Sequence, residues 1–265
     1  MSQNLQRKNF CVFGNPISHS LSPKIHNHAF AHFQKELGFL GIYRAIELDA
    51  LDPMLKETFL SQHFSGANVT SPFKENAFLI ADFVDKSAQD IRAANTLMLK
   101  DDKIHAYNTD ILGFANSLKN LSFENALVLG TGGAARAVIS ALNMLSEPIC
   151  ILNQSSNFRG LDAKFPCFST KDFKIAQFDL IINATSALDP MSGLSELQAA
   201  LFKNAKIAYD INYKESVFLQ NAKSINEQIQ IKDGKNMLLY QAALSFQIWT
   251  GIDAKAAFKV MQEIL

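Results

Sequence analysis

Leu127-Val128-Leu129-Gly130-Thr131-Gly132-Gly133-Ala134-Ala135-Arg136 decides the fold. Three apolar residues read as a buried strand and the glycine cluster as a tight turn. Ala134 to Leu145, with Val138, Ala141, Leu142 and Leu145 on one face, reads as a helix. Ile149-Cys150-Ile151-Leu152 supplies a second strand and completes a β-α-β unit. In that setting Gly130-x-Gly132-x-x-Ala135 has the form of a dinucleotide-binding turn, because glycines let the backbone approach a pyrophosphate and free N–H groups at a helix N-terminus stabilise its charge. A nicotinamide cofactor is the default ligand. The second strand ends at Asn153, where an acidic residue would hydrogen-bond the ribose 2′-hydroxyl of NAD. Instead Asn153-Gln154-Ser155-Ser156, with Arg159 nearby, offers neutral donors and one cation, which suits the 2′-phosphate of NADP.

The flanking segments alternate in the same manner. Leu180-Ile181-Ile182 and Lys206-Ile207-Ala208-Tyr209 read as further strands of the glycine-turn unit. On the N-terminal side, Phe10-Cys11-Val12-Phe13 is a strand. A helix follows with Ser22 as N-cap, Pro23 at its first position and Ile25, Ala29, Phe33 and Leu37 at helical spacing, until Gly38 ends it. Ile42 to Leu48 is a strand, Asp52-Pro53 opens a helix, Gly66 to Thr70 is a strand, and Ser71-Pro72 opens another helix. Asn95 to Leu99 and His105 to Tyr107 are strand-like, Asp110 to about Leu118 is helical, and Asn236 to Trp249 and Asp253 to Leu265 are amphipathic helices. The expected class is α/β with mostly parallel sheet covered by helices on both faces. Two domains are expected: an N-terminal α/β domain of residues 1–112 joined by the returning helices of 237–265, and a Rossmann-type domain of 113–236.

Composition narrows the function. The chain has 265 residues with 25 Lys plus Arg against 25 Asp plus Glu, so nothing predicts wrapping of nucleic acid or an anionic membrane surface. Cys11, Cys150 and Cys167 form no C-x-x-C pair and read as reduced thiols of a cytosolic protein. Met1 to Asn9 is polar with only a short apolar run after it, so no signal peptide is expected. Ala126 to Leu145 is apolar but carries three glycines and Arg136, which fits a strand, turn and helix better than a membrane span.

Asn68-Val69-Thr70-Ser71-Pro72-Phe73-Lys74 is the most informative segment of the first domain. With Ser71 as N-cap, Lys74 falls at the third helical position, where the helix dipole disfavours a cation and a capping box would place Glu or Gln. Such a broken local rule marks a candidate proton-exchanging lysine. Asp110, after Asn108-Thr109, is by position a capping residue and by charge a candidate partner for Lys74. His28 and His32 are four apart on a helix, but no Glu follows His28 and no third ligand is evident, so no metal is expected. Along Ala242, Phe246 and Trp249 runs an apolar stripe with Gln241 as its polar exception.

Taken in order, these pieces resemble the shikimate dehydrogenase family over nearly the whole chain: Ser18-His19-Ser20-Leu21-Ser22-Pro23, Asn68 to Lys74, Ala94-Asn95-Thr96, Asn108 to Phe114, Gly130 to Arg136, Ile182-Asn183-Ala184-Thr185-Ser186 and Tyr240-Gln241-Ala242-Ala243. The resemblance implies an NADP-dependent enzyme that reversibly reduces 3-dehydroshikimate to shikimate in aromatic amino-acid biosynthesis, a cytoplasmic monomer or homodimer acting on a small molecule. It implies that Lys74 and Asp110 are the catalytic pair, that Ser18 and Ser20 bind the substrate carboxylate, and that Thr70, Asn95, Asp110 and Gln241 bind ring hydroxyls. Asn68 and Tyr213 join the substrate set. The implied cofactor set is Gly130, Thr131, Gly132, Gly133, Ala134, Asn153, Gln154, Ser155, Arg159 and Thr185, with Ile211 and Gly234 near the nicotinamide. One departure is visible: Gln154 stands where the family's adenosine loop usually has an arginine, and two extra residues precede Arg159. The alternatives are a quinate/shikimate dehydrogenase using NAD and a catalytically silent NADP-binding sensor on the same fold.

Overall fold

A computed structural model describes residues 5–265 other than 52, 175 and 214. The chain divides into two compact units, residues 1–113 with 239–265, and residues 114–238.

In the first unit the order is β1 (Gln6–Gly14), α1 (Ser22–Leu37), β2 (Phe39–Glu47), α2 (Leu55–Ser61), β3 (Phe64–Val69), α3 (Lys74–Leu79), β4 (Phe83–Val84), α4 (Lys86–Gln89), β5 (Thr96–Lys100), β6 (Lys103–Tyr107) and α5 (Asp110–Ser117). The sheet runs β2-β1-β3-β5-β6-β4 and is mixed, because β5 lies antiparallel to both β3 and β6 while the other pairings are parallel. Alternation along β1 sends Cys11 and Phe13 into one core with Phe59, Phe64 and Phe73. The ring of Phe10, one residue before Cys11, instead stacks on Phe30 of α1 and tilts against Trp249. Trp249 donates to the Leu97 carbonyl at 2.9 Å, and its indole fills the space where a side chain on Gly66 would stand.

Several expected boundaries move. Leu21, not Ser22, is the N-cap of α1: the Leu21 carbonyl accepts from Ile25, and the Ser20 hydroxyl accepts from the Ser22 N–H at 3.3 Å. Gly38 does end that helix, at φ 67°. The helix expected at Ser71-Pro72 starts instead at Lys74, because a turn closed by Phe73 N–H to the Thr70 carbonyl uses those residues. Lys74 is therefore at the first helical position, not the third. The helix expected from Asp52-Pro53 begins at Leu55, and Asp52 lies outside the described residues.

The second unit continues with β7 (Ala126–Leu129), α6 (Gly133–Met144), β8 (Ile149–Asn153), β9 (Cys167–Ser169), β10 (Leu180–Asn183), α7 (Ser195–Phe202), β11 (Ile207–Asp210), α8 (Val217–Ile225) and β12 (Gln230–Lys232); α9 (Lys235–Thr250) and α10 (Ala254–Gln262) follow. All its strand pairings are parallel, in the order β12-β11-β10-β7-β8-β9. Counted from β7 this is 3-2-1-4-5-6, the doubly wound order whose ligand crevice opens between the first and fourth strands. Leu127, Leu129, Leu152, Ile181 and Ala208 form one buried face with Leu201, Phe202, Phe218 and Leu219 from α7 and α8. Near Phe114 the Tyr209 ring packs edge-on, and its hydroxyl donates to Ser117 at 2.9 Å. Among the described residues no helix is long and apolar enough to cross a membrane.

Candidate active site

In the first unit the strand pairings bring the candidate residues to one sheet edge. The N-terminal end of antiparallel β5 meets the C-terminal ends of β3 and β6, since Asn68 pairs with Thr96 and Thr96 with Tyr107. The Asn95 carbonyl accepts from Val69, and the Asn95 N–H reaches the Tyr107 carbonyl. The loop after β1 joins the same edge through Asn15 N–H to the Ser71 carbonyl and Thr70 N–H to the Phe13 carbonyl.

Lys74 and Asp110 form an ion pair there, Nζ to Oδ2 at 2.7 Å, with side chains only 14 % and 8 % exposed. Asn95 locks the carboxylate from behind: its amide donates to Asp110 Oδ1 at 2.9 Å, to Thr109 Oγ1 at 3.0 Å and to Gln241 Oε1 at 3.4 Å. Its own oxygen accepts the Thr109 N–H at 2.8 Å, and the Lys74 carbonyl accepts the Ala94 N–H, so the lysine and the asparagine are held through backbone as well as side chain. Gln241 reaches this group from α9 because Gly113 leaves room: a Cβ there would stand 2.8 Å from Gln241 Cβ. The cluster unites Lys74, Asn95, Asp110 and Gln241, with Thr70 half-buried on the turn before Lys74.

Other candidates stand apart from that ion pair. Ser18 is exposed, and Ser20 is half-buried with its hydroxyl turned to the start of α1. The Asn68 side chain is wholly engaged inside the protein: Oδ1 accepts from the Tyr43 hydroxyl at 2.8 Å, and the amide donates to Ser245 Oγ at 2.9 Å, to the Asn95 carbonyl at 3.1 Å and to Thr96 Oγ1 at 3.2 Å. Sequence reasoning missed Thr96, Thr109 and Ser245, whose hydroxyls form a buried chain beneath Asn95 at 2.8 and 3.1 Å. A signal existed for one of them, since Ser245 is four residues beyond Gln241 and so on the same helical face.

In the second unit Gly130 follows β7 at φ 108°, a conformation that a side chain disfavours, and a Cβ there would stand 2.7 Å from Thr185 Cγ2. Thr185 follows β10, so the glycine turn and Thr185 flank the crevice between the first and fourth strands of the sheet order. Gly132 is exposed with open space around its Cα, and Gly133 opens α6, a twelve-residue helix with its N-terminal N–H groups at the turn. A cavity of about 150 Å³ lies beside the turn, with Leu152, Pro190 and Met191 as apolar walls and Asn153, Thr170 and Thr185 as polar ones. The Asn153 amide donates within its own loop, to the Ser155 and Asn157 carbonyls, and Thr131 Oγ1 donates to that same Asn157 carbonyl. Gln154 spans the cavity rim to the Pro190 carbonyl at 3.3 Å, and Arg159 is exposed at φ 53°. Gly234 touches the Ile211 carbonyl so closely that no side chain fits, and Tyr213 is half-buried nearby in sequence.

The two buried thiols are poor nucleophiles. Burial pushes the Cys11 thiol well above its usual range and Cys150 up to about 11, which disfavours the nucleophilic thiolate in both. Among the described residues no group of three or more His, Cys, Asp or Glu is placed to hold a metal, and His28 pairs with Glu263 at 3.3 Å.

A 3-2-1-4-5-6 parallel sheet with a glycine turn, in a chain that also carries a buried lysine–carboxylate pair, defines the class: a dinucleotide-dependent α/β oxidoreductase. Residues 12–97 match the shikimate dehydrogenase substrate binding domain, and residues 234–265 match the shikimate 5′-dehydrogenase C-terminal domain. Shikimate dehydrogenase (NADP(+)) of Helicobacter pylori strain P12 is 45 % identical over 98 % of this chain and 100 % of its own. The crystal structure of the Aquifex aeolicus shikimate dehydrogenase superposes with a TM-score of 0.80 at 32 % identity, covering 98 % of this chain and 99 % of that one. That of the Thermus thermophilus shikimate 5-dehydrogenase, in complex with NADP(H) and shikimate, gives 0.78 at 30 % identity over 97 % and 100 %. The chain belongs to the shikimate dehydrogenase family.

Proposed function

We propose that the chain is an NADP-dependent shikimate dehydrogenase that reversibly reduces 3-dehydroshikimate to shikimate for aromatic amino-acid biosynthesis, in the cytoplasm and as a monomer or homodimer. The observation that carries this is the Lys74–Asp110 pair, 2.7 Å apart and backed by the neutral amides of Asn95 and Gln241. A ring that bears a ketone and several hydroxyls needs one mobile proton and neutral hydrogen-bonding partners, and this cluster supplies both. The first unit is the substrate domain and the second the NADP domain.

The second unit fits the cofactor. The Gly130 position admits no Cβ, Gly132 is open, and no carboxylate stands at Asn153 to repel a 2′-phosphate. Gly130 to Ala134 would cradle the pyrophosphate, Asn153, Gln154, Ser155 and Arg159 the adenosine side, and Thr185, Ile211 and Gly234 the nicotinamide side. When bound, NADPH supplies the hydride. The rest falls to side chains of the first unit. Lys74 delivers a proton to the developing alkoxide, a contribution of ~10²–10⁴ in rate. Asp110 orients Nζ and, with Thr70, Asn95 and Gln241, holds ring hydroxyls. Ser18 and Ser20 take the carboxylate with neutral donors, and Asn68, its side chain already engaged by Tyr43, Ser245, Thr96 and the Asn95 carbonyl, braces Asn95 from within the fold. In the oxidative direction the same Lys74 receives the proton.

Absorbance at the reduced-nicotinamide band, with shikimate or quinate against NADP⁺ or NAD⁺, tests the assignment. Shikimate with NADP⁺ should give the highest kcat/KM. Faster turnover of quinate with NAD⁺ would make the chain a quinate-type enzyme, and no turnover in any of the four mixtures would leave a nucleotide-binding sensor.

A further inference from the structure

Asp210 is a carboxylate only 1 % exposed, and the chemistry above makes no use of it. It ends β11, in register with Asn183 at the end of β10. Paired residues of parallel strands project to the same face, and here the Asn183 amide donates to Asp210 Oδ2 at 3.2 Å. Three further donors converge on it. The backbone N–H and side-chain amide of Asn212 reach Oδ1 at 2.9 and 2.8 Å, and the Ser216 hydroxyl reaches Oδ2 at 2.5 Å. Among the described residues all four donors are neutral, so the carboxylate is set to accept hydrogen bonds: it offers two acceptor oxygens, where an amide would turn an NH₂ toward one of these donors.

What those donors hold is the rim of the nucleotide crevice. Asn183 Oδ1 accepts both the N–H and the hydroxyl of Thr185, at 3.0 and 2.7 Å, and Asn212 donates to the Thr185 carbonyl at 3.1 Å. Ile211 N–H is tied to the Asn183 carbonyl at 3.1 Å. Ser216 caps α8 by accepting from Leu219 N–H at 3.1 Å. The methyl of Thr185 abuts Gly130. We infer that Asp210 is a positioning residue for NADP(H): its carboxylate fixes the loops after β10 and β11 and thereby sets Thr185 and Ile211 against the glycine turn. This rests on the NADP-dependent activity proposed above.

Titration of NADPH fluorescence tests the inference without turnover. Asp210→Asn should weaken NADPH binding by ~10- to 100-fold, the worth of a charge-assisted hydrogen bond, while the KM for shikimate moves by less than about twofold. In a Thr185→Ala background the same change should cost clearly less, because the two residues act on one element. Should Asp210→Asn fail to fold, Ser216→Ala keeps the carboxylate, removes one donor, and should weaken NADPH binding in the same selective way by a smaller factor. Unchanged NADPH affinity overturns the inference. So does an equal loss in both backgrounds, or a parallel loss for NADPH and shikimate that tracks a lowered Tm, since each assigns Asp210 to general stability. A wild-type protein that binds NADPH but leaves shikimate untouched would sink the proposed activity, and the binding titrations would still decide the role of Asp210.

Discussion

The two candidate regions solve different problems with different materials. Around Lys74 and Asp110 the groups are charged, almost wholly buried and bonded side chain to side chain through Asn95. Around Gly130 the surface is made of backbone and small neutral residues, and the Asn153 amide turns back on its own loop. A reaction centre needs one group in one place, so it concentrates charge and fixes it. A phosphate cradle spreads its work over several N–H groups and tolerates change at any one of them. Substitutions in the first region should therefore act on kcat and be severe. Those in the second should act on KM and be graded.

The largest effect is expected from Lys74→Ala, which should lower kcat by ~10²–10⁴ while leaving NADPH affinity nearly intact. Steady-state kinetics together with a fluorescence titration read both quantities, and near-normal turnover would remove Lys74 from the chemistry. Asp110→Asn should follow at ~10- to 100-fold in kcat, because it replaces a charge-assisted contact to Nζ and turns an NH₂ toward either the Asn95 amide or the lysine. A change confined to the KM for shikimate would make Asp110 a binding group alone.

The contrast also explains what was legible beforehand. The glycine turn was readable because its chemistry is local: a strand, Gly-x-Gly and a helix lie within twenty residues of one another. The charged cluster joins residues 74, 95, 110 and 241 through strand pairing and a returning helix, and no spacing rule reaches that far. Resemblance named its members; only the fold shows Asn95 as their common anchor. The antiparallel β5–β6 hairpin escaped for a physical reason as well. Its two-residue turn places Asp101 and Asp102 at φ 50° and 56°, the left-handed geometry of a type I′ turn, without the glycine that normally announces one. Strands β4, β9 and β12 have two or three residues each, too few for any period to register.

Arg159 probes the graded side of the comparison. It is the cation of a loop that Asn153 and Thr131 both hold at the Asn157 carbonyl. Arg159→Ala should raise the KM for NADPH about tenfold, corresponding to ~1.4 kcal/mol, with little effect on NADH or shikimate kinetics. Equal losses with both cofactors would show that Arg159 supports the loop and does not read the 2′-phosphate.

The smallest effect concerns stability, and it too should separate the regions. His26 of α1 is completely buried, stacked 4.4 Å from Tyr43 at 10°, beside Trp249 and Phe246. Burial drives its pKa down to about 3, and among the described residues neither ring nitrogen has a hydrogen-bond partner, so the native state keeps the ring neutral where the unfolded chain protonates it. A base with a lowered native pKa contributes stability above its unfolded value near 6.5, and that contribution is lost as pH falls toward 3. Between pH 7 and 5.5 the loss is about 1.3 kcal/mol, provided only that the native ring stays neutral at pH 5.5. In the second unit the large shifts belong to Tyr209, pushed up to about 12 by burial, and Cys150, pushed up to about 11; neither titrates in this window. Acid sensitivity should therefore begin in the first unit, in the aromatic cluster around His26. His26→Phe preserves an aromatic ring in an aromatic cluster and should flatten the fall of the urea midpoint from pH 7 to 5.5, whatever it does to stability at pH 7. Wild-type and variant curves that run parallel across that interval would show that His26 takes up its proton without unfolding the protein.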